Sequence, residues 1–247
     1  MTRSMDDHEL AADIAREAGA LLVRRRAEGA SKDDGDRESN DLILARLAEA
    51  RPDDAVLSEE SKDDPIRLER ERVWIVDPLD GTREFGEAGR TDWAVHVALV
   101  VGGVPRACAV ALPAQDGVVL ATSPAPVLAA PRAGKMRLLV SRTRPPKLAE
   151  YLASVLDAEL VPLGSAGAKT MAVVQGVADV YAHSGGQYEW DSAAPVGVAA
   201  AAGCHTSRLD GSPLVYNRPD PYLPDLLVCR PELADTVIAA VRNAPDD

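Results

Sequence analysis

Residues Val73 to Phe85 read VWIVDPLDGTREF. The β-prone run Val73-Trp74-Ile75-Val76 delivers two carboxylates, Asp77 and Asp80, to a strand end, and Pro78 stiffens the turn between them. Gly81 bares the backbone, and Thr82 offers a hydroxyl at a helix start. Two acids at this spacing can reach one cation, while Gly81, Thr82 and the following backbone N–H groups can hold an anion beside it. That combination predicts metal-dependent phosphoryl chemistry. Asp-Pro and Asp-Gly are also ordinary turn chemistry, and short motifs recur by chance. On these residues alone, a plain turn and a metal site both stay open.

Further acids stand at other element ends. Glu59-Glu60 follows the short apolar run Ala55-Val56-Leu57, and Asp191 follows Trp190 at the start of an Ala-rich helix. Taken singly, the first is a solvated pair and the second a helix-start acid that complements the dipole. Folded together with Asp77 and Asp80, they would repel one another strongly unless a cation were present.

The order WIVDPLDGT, preceded by Glu59-Glu60 and followed far downstream by Trp190-Asp191-Ser192-Ala193-Ala194, resembles the inositol monophosphatase family of Mg²⁺-dependent phosphatases. The resemblance runs through nearly the whole chain. It implies that Glu59, Asp77, Asp80 and Asp191, with the carbonyl of Leu79, ligate two or three Mg²⁺ ions, and that Glu60 helps orient water. Within that superfamily three segments resemble the 3'(2'),5'-bisphosphate nucleotidases of the CysQ type. They are Arg83-Glu84-Phe85, Ser141-Arg142-Thr143-Arg144, and Gly164-Ser165-Ala166-Gly167-Ala168-Lys169. The implied reaction removes the 3'-phosphate of adenosine 3',5'-bisphosphate (PAP), or of its sulfated relative PAPS, in sulfate assimilation, with sensitivity to lithium. The implied substrate contacts are Glu59, Leu79, Asp80, Gly81, Thr82, Arg83, Ser141, Arg144, Ser165, Lys169 and Asp191. Lys169 also stands out by itself, because a cation at the start of an otherwise apolar helix opposes the helix dipole.

One stretch departs from the family pattern. Relatives carry Ser-Pro-Val-Thr-x-x-Asp after an early Lys; here Lys32 is followed by DDGDRESND, and its terminal acid, Asp41, takes the place of the motif's Asp. Asp41 would polarise the Thr82 hydroxyl to position a water whose pKa a bound Mg²⁺ lowers, with a second ion at the leaving oxygen. Asp41, Glu60 and Thr82 are thus the expected catalytic residues, and no covalent phosphoenzyme is required.

The chain of 247 residues is long enough for one large domain or two intimately packed lobes. Its hydrophobic share of 46% and charged share of 27% are those of a globular protein. Aromatic residues make up only 4%, so Val, Ala and Leu must supply most of the packing. A net charge of −12 argues against a nucleic-acid polymer as partner and also opposes a small anionic substrate. Bound cations and local Arg or Lys must therefore reverse the sign inside the pocket. Cys108, Cys204 and Cys229 form no CxxC pair and read as buried thiols of a reducing cytoplasm. No leader and no run long enough for a membrane is expected.

Helical spacing marks residues 9–27 and 41–50, with the polar run 31–40 between them expected as a loop. Strands are expected at 55–57, 73–76, 93–101, 104–112 and 118–122, the last three in hairpin order around Gly102-Gly103. The charged stretch 62–72 reads as a solvated excursion. The Pro- and Ala-rich segment 124–134 suggests a boundary between an antiparallel N-terminal lobe (1–124) and an α/β lobe (125–247). Beyond it, strands are expected at 138–140, 179–182, Val215 and 226–229, alternating with helices at 146–156, 167–175, 192–202 and 232–242. His96 falls on a buried strand face and reads as a core residue.

The expected architecture is a layered α-β-α-β-α sandwich of mixed α/β (α+β) class, with the sheet order taken from the family. The antiparallel half would be the interface of a homodimer. Inositol 1-phosphate or fructose 1,6-bisphosphate as substrate, and a non-catalytic metal- or nucleotide-binding protein, stay open as alternatives. A glycosidase needs two acids flanking a sugar, and Asp77 and Asp80 are too close in the chain for that.

Overall fold

The computed structural model describes residues 5–143 and 145–245. Helix α1, Asp7–Ala27, opens on a capping box between Asp6 and Glu9, and Arg24, Arg25 and Arg26 occupy its last turn. Helix α2, Lys32–Ala50, is continuous from its Ser31 cap. The loop expected at 31–40 is therefore helical. That half turns polar groups inward, burying Asp36, Ser39 and Asn40, so it lacks the apolar rhythm that would have marked it.

Two five-stranded sheets follow in sequence. The first is built from β1 (Ala55–Ser58), β2 (Arg72–Asp80), β3 (Ala94–Val101), β4 (Val104–Leu112) and β5 (Val118–Ala121), in that spatial order. β1 runs parallel to β2, and the other neighbours are antiparallel. A short helix α3, Thr82–Gly86, joins β2 to the β3 side.

The second sheet has β6 (Arg137–Ser141), β7 (Glu159–Leu163), β8 (Val180–Tyr188), β9 (His205–Ser207) and β10 (Tyr222–Cys229), in the order β7-β6-β8-β10-β9. Its first three neighbours are parallel and its last three antiparallel. The edge strands β7 and β9 escape sequence reading, one lying half-exposed with an internal Pro and the other only 3 residues long. Val215, expected in a strand, lies outside both sheets and is 54% exposed.

Helices α4 (Lys147–Val155), α5 (Ala166–Val174), α6 (Glu189–Ala201) and α7 (Ala234–Arg242) complete the layers. Alternate residues of β2 to β4, among them Trp74, Val76, Val97 and Ala109, face Leu10, Ile14, Leu22, Ile43 and Leu47 of α1 and α2. The opposite faces, with Ile75, Ala98 and Val110, pack through Met171, Val173, Ala194 and Val198 of α5 and α6 onto Tyr181 and Val228 of the second sheet. Leu138, Val140 and Leu227 on the far side of that sheet are covered by α4 and α7. The result is the α-β-α-β-α sandwich. No helix among the described residues is long and apolar enough to cross a membrane.

The charged stretch 62–72 is anchored rather than solvated. Arg67 is fully buried: its Nε and Nη2 donate to the Asp63 carboxylate at 2.7 and 2.9 Å, and its Nη1 donates to Asn217 Oδ1 and the Arg218 carbonyl at 2.8 and 2.9 Å. The Asn217 and Arg218 N–H groups in turn donate to the Glu189 carboxylate in the first turn of α6. Removing the guanidinium would delete the four hydrogen bonds of Arg67 and leave the volume it fills unpacked, although Asp63 itself is 40% exposed. Arg67→Ala is expected to lower unfolding free energy by about 2 kcal/mol in urea denaturation, mainly through lost packing and hydrogen bonds of the buried guanidinium. A loss within about 0.5 kcal/mol, the range of an ordinary surface change, would show that the guanidinium holds nothing.

Candidate active site

β2 continues past its expected end to Asp80, but its pairing with β3 slips on the way. Asp77 lies opposite His96 and Asp80 opposite Ala94, so three steps on β2 match two on β3. In a regular strand, residues three apart face opposite sides of the sheet. The bulge turns both carboxylates to one side. Pro78 sits inside it, where no ladder N–H is needed, and its carbonyl accepts from Ser39 Oγ of α2 at 2.8 Å. Gly81 then caps α3 in the left-handed region at φ +91°, where a Cβ would lie 3.2 Å from the Cβ atoms of Ser165 and Trp93. The cap is thus Gly81, and Thr82 is the first helical residue.

Asp191 arrives from the second half of the chain, in the first turn of α6, with its Oδ2 accepting from the Tyr188 N–H at 2.7 Å. Asp77, Asp80 and Asp191 each place an oxygen within 4.8 Å of the other two. Around them lies a cavity of about 250 Å³. Its walls include Glu59, Leu79, Gly81, Thr82, Arg83, Ser141, Ser165 and Lys169, together with Glu84, Arg142, Thr143 and Gly164. Glu60 and Asp41 are exposed and do not line it. Arg144 lies outside the described residues.

The donor set suits a hard cation. Asp77 Oδ1 accepts from the Leu79 N–H at 3.0 Å, whereas Asp77 Oδ2 is buried with no hydrogen-bond partner. An ionised oxygen in that position costs free energy unless something positive meets it. Oxygen atoms from several carboxylates are what Mg²⁺ or a similar ion takes as ligands. Asp80 is arranged differently. Its Oδ2 accepts from Ser165 Oγ at 2.5 Å and the Gly167 N–H at 2.7 Å, and lies 3.2 Å from His96 Nε2 in an ion-pair contact.

The electrostatics follow from this crowding. Burial, then the charges of Glu59, Asp80 and Asp191, push the Asp77 carboxyl well above its ordinary range. Burial and the neighbouring Asp80 charge raise Asp191 to about 7, and partial loss of hydration with the same charge raises Glu59, whose outer edge stays exposed, to about 7. Burial acts on Asp80 in the same sense, yet His96, Ser165 and Gly167 hold it down at about 2. His96 is raised by its acid neighbours despite the opposing effect of burial. Sequence alternation had placed His96 correctly inside but gave no sign of its partners.

Two other expected roles change. Asp41 faces solvent, whereas Asp36, five residues earlier on α2 and so well round the helix, is only 5% exposed. Burial and the charges of Glu60 and Glu59 push the Asp36 carboxyl up to about 8. Asp36 is therefore the acid of α2 turned toward the Glu59-Glu60 side, whereas Asp41, expected in that place, faces solvent; neither lines the cavity. The Ser165 hydroxyl is committed to Asp80, which makes it a support for that acid. Lys169 Nζ donates to the carbonyls of Ser165 and Gly164 at 2.8 and 3.3 Å, tying down the turn before α5. Arg142, which sequence reading passed over, lines the cavity with its Nη2 on Glu84 and Glu87.

Known proteins share both sequence and fold. The profile of the inositol monophosphatase family matches residues 9–246. A protein of Mycobacterium tuberculosis (strain CDC 1551 / Oshkosh) named 3'-phosphoadenosine 5'-phosphate phosphatase is 53% identical over 241 residues, spanning 92% of this chain and 90% of that protein. The 3'(2'),5'-bisphosphate nucleotidase CysQ of Escherichia coli (strain K12) is 32% identical over 202 residues, spanning 76% of this chain and 80% of that one. Among solved structures, CysQ from Bacteroides thetaiotaomicron superposes with a TM-score of 0.75 at 27% identity, covering 90% of this chain and 96% of that one. An inositol monophosphatase from Anabaena gives a TM-score of 0.79 at 22% identity over 96% of each chain, a likeness of fold.

Raised carboxyl pKa values have a signed consequence for stability. Between the ordinary carboxylate range near about pH 4 and the raised values of about 7 for Glu59 and Asp191 and about 8 for Asp36, the folded protein holds more protons than the unfolded chain. Metal-free stability therefore falls as pH rises through that window. Thermal melts in EDTA are expected to show a falling Tm from pH 5 to pH 8, and saturating Mg²⁺ should reduce the fall. A metal-free Tm that rises across the window would contradict the assigned crowding.

Proposed function

The chain belongs to the inositol monophosphatase family, and from that premise we propose that it is a Mg²⁺-dependent phosphatase that removes the 3'-phosphate of PAP to give AMP, with PAPS a second substrate of the same kind. The nucleotide substrate is supported by the relative at 53% identity and by its printed name. The observation that carries the chemistry is the buried Oδ2 of Asp77, which among the described residues accepts no hydrogen bond and has only His96 Nδ1 at 4.0 Å, inside a group of three convergent acids.

Asp77, Asp80 and Asp191, with Glu59 and the Leu79 carbonyl at the same cavity, are the groups that would hold two or three ions. Bound there, divalent cations supply Lewis-acid stabilisation of phosphoryl charge and lower the pKa of coordinated water. The protein's own part is to place the reactants. Thr82, with Asp36 in the role first given to Asp41, orients the attacking water, and Glu60 adds negative charge beside Asp36. Water adds to phosphorus as the bond to the ribose 3'-oxygen breaks, and that oxygen leaves with a proton. Ser165 is not free to attack, because its hydroxyl is donated to Asp80.

Arg83, exposed at the cavity wall, and Ser141 stand where a nucleotide's remaining groups would lie, with Arg142 held in place between them by Glu84 and Glu87. Arg144 is retained as a contact from the sequence resemblance alone. Lys169 acts through the turn it ties down. Three unpaired buried cysteines fit a cytoplasmic enzyme of sulfate assimilation.

Phosphate release is to be measured on PAP, inositol 1-phosphate and fructose 1,6-bisphosphate, with Mg²⁺ or EDTA. PAP is expected to have the highest kcat/KM, and EDTA or Asp77→Asn to abolish turnover. Equal or better turnover of inositol 1-phosphate would overturn the nucleotide assignment, and full activity in EDTA the metal assignment. Arg83→Thr should lower kcat/KM for PAP more than for inositol 1-phosphate. Asp36→Asn should reduce kcat by about 100-fold or more, while Asp41→Asn leaves it nearly unchanged; the reverse order would restore Asp41.

A further inference from the structure

His96 is an unusual residue to find at the centre of a sheet. It sits on β3 between β2 and β4, has no exposed surface, and pairs across the ladder with Asp77. A core position of this kind asks only for an apolar side chain, yet Nδ1 meets a carbonyl acceptor and Nε2, which makes no hydrogen bond, stands within ion-pair range of a carboxylate. Nδ1 donates to the Trp190 carbonyl at 3.0 Å, and Nε2 lies 3.2 Å from Asp80 Oδ2. The first contact reaches the opening turn of α6, one residue before Asp191; the second reaches the bulged end of β2.

The surroundings are shaped to admit the ring. A Cβ at Gly167 would lie 2.0 Å from His96 Nε2, so α5 can approach only because residue 167 has none. The same Gly167 gives its N–H to the Asp80 oxygen that His96 faces. Ser165 and Gly167 of the second half and His96 of the first thus close on Oδ2 from different elements.

We propose that His96 is a positioning residue for the cation site, bracing Asp80 against the Trp190 carbonyl and so fixing the distance between the Asp77–Asp80 pair and Asp191. This rests on the reading of those three acids as metal ligands. The two contacts need one rigid side chain with polar atoms on two edges. Asparagine can keep at most part of the bracket, and phenylalanine fills the space without either contact. Groups that orient metal ligands from behind typically change metal affinity by about 10- to 100-fold when removed.

The test is direct cation binding, followed by calorimetry with Mn²⁺ on the full chain at fixed pH, for wild type, His96→Phe, His96→Asn and Asp77→Asn. His96→Phe is expected to weaken Mn²⁺ binding about 10-fold or more, with His96→Asn in between. At saturating Mg²⁺ the KM for the phosphorylated nucleotide should stay near the wild-type value, because the lost contact concerns the ion. A general packing defect would instead lower the melting temperature in EDTA and leave cation affinity in place. If His96→Phe does not fold, His96→Asn and the imidazole ¹⁵N NMR signals of the wild-type protein during Mg²⁺ titration decide, with a His96 shift expected at the first equivalents. Folded His96 variants that bind Mn²⁺ within twofold of wild type, or unmoved His96 signals, overturn the proposal. Failure of wild type itself to bind, or equal binding by Asp77→Asn, would instead remove the metal-ligand reading beneath it.

Discussion

Repulsion between carboxylates in a dry cavity is the constraint from which the rest of the site follows. Three acid oxygens within 4.8 Å of one another cannot all be ionised without compensation. The fold gives each acid one backbone N–H of its own: Leu79 to Asp77, Gly167 to Asp80 and Tyr188 to Asp191. These fixed dipoles come from a strand bulge, a helix start in α5 and a helix start in α6. None of them neutralises the whole charge. They fix one oxygen of each carboxylate from behind.

The layered architecture explains how acids so distant in sequence meet. Asp77 and Asp80 ride on the first sheet, while Asp191 rides on a helix of the middle layer, which both sheets share as packing surface. Their spacing therefore depends on how closely that layer settles. Close approach is arranged by small residues: a Cβ at Gly197 of α6 would lie 2.4 Å from Cys108 Sγ of β4, and Gly167 of α5 admits the His96 ring. At the edge, buried Arg67 and Asn217 hold the segment after Glu60 against the loop that Glu189 grips. The site and the core are thus one packing problem.

Legibility in the sequence followed the range of the interaction. Asp77, Asp80 and Gly81 were legible because the bulge, turn and cap are local, and most strands and helices showed through their apolar rhythm. Asp36 was not, because its half of α2 buries polar side chains toward the site and so reads like a loop. His96 was legible as buried, but its partners depend on a ladder slip and on a helix that arrives 94 residues later. Arg67 was hidden in a run of charges, since nothing local reveals that its partner is Asn217, 150 residues on. The exposed position of Asp41 has the same origin, because helix phase decides which acid turns inward.

Giving one oxygen of each carboxylate to the backbone also rations coordination. An oxygen that accepts one N–H keeps a second lone pair, so the restriction is strongest at Asp80 Oδ2, which accepts from Ser165 and Gly167 and has His96 Nε2 3.2 Å away. Large ions such as Ca²⁺ gather six to eight oxygens and often take both from one carboxylate, whereas Mg²⁺ is content with six single ones and keeps several waters. Acids held mainly to single oxygens would thus suit the smaller ion better than the larger.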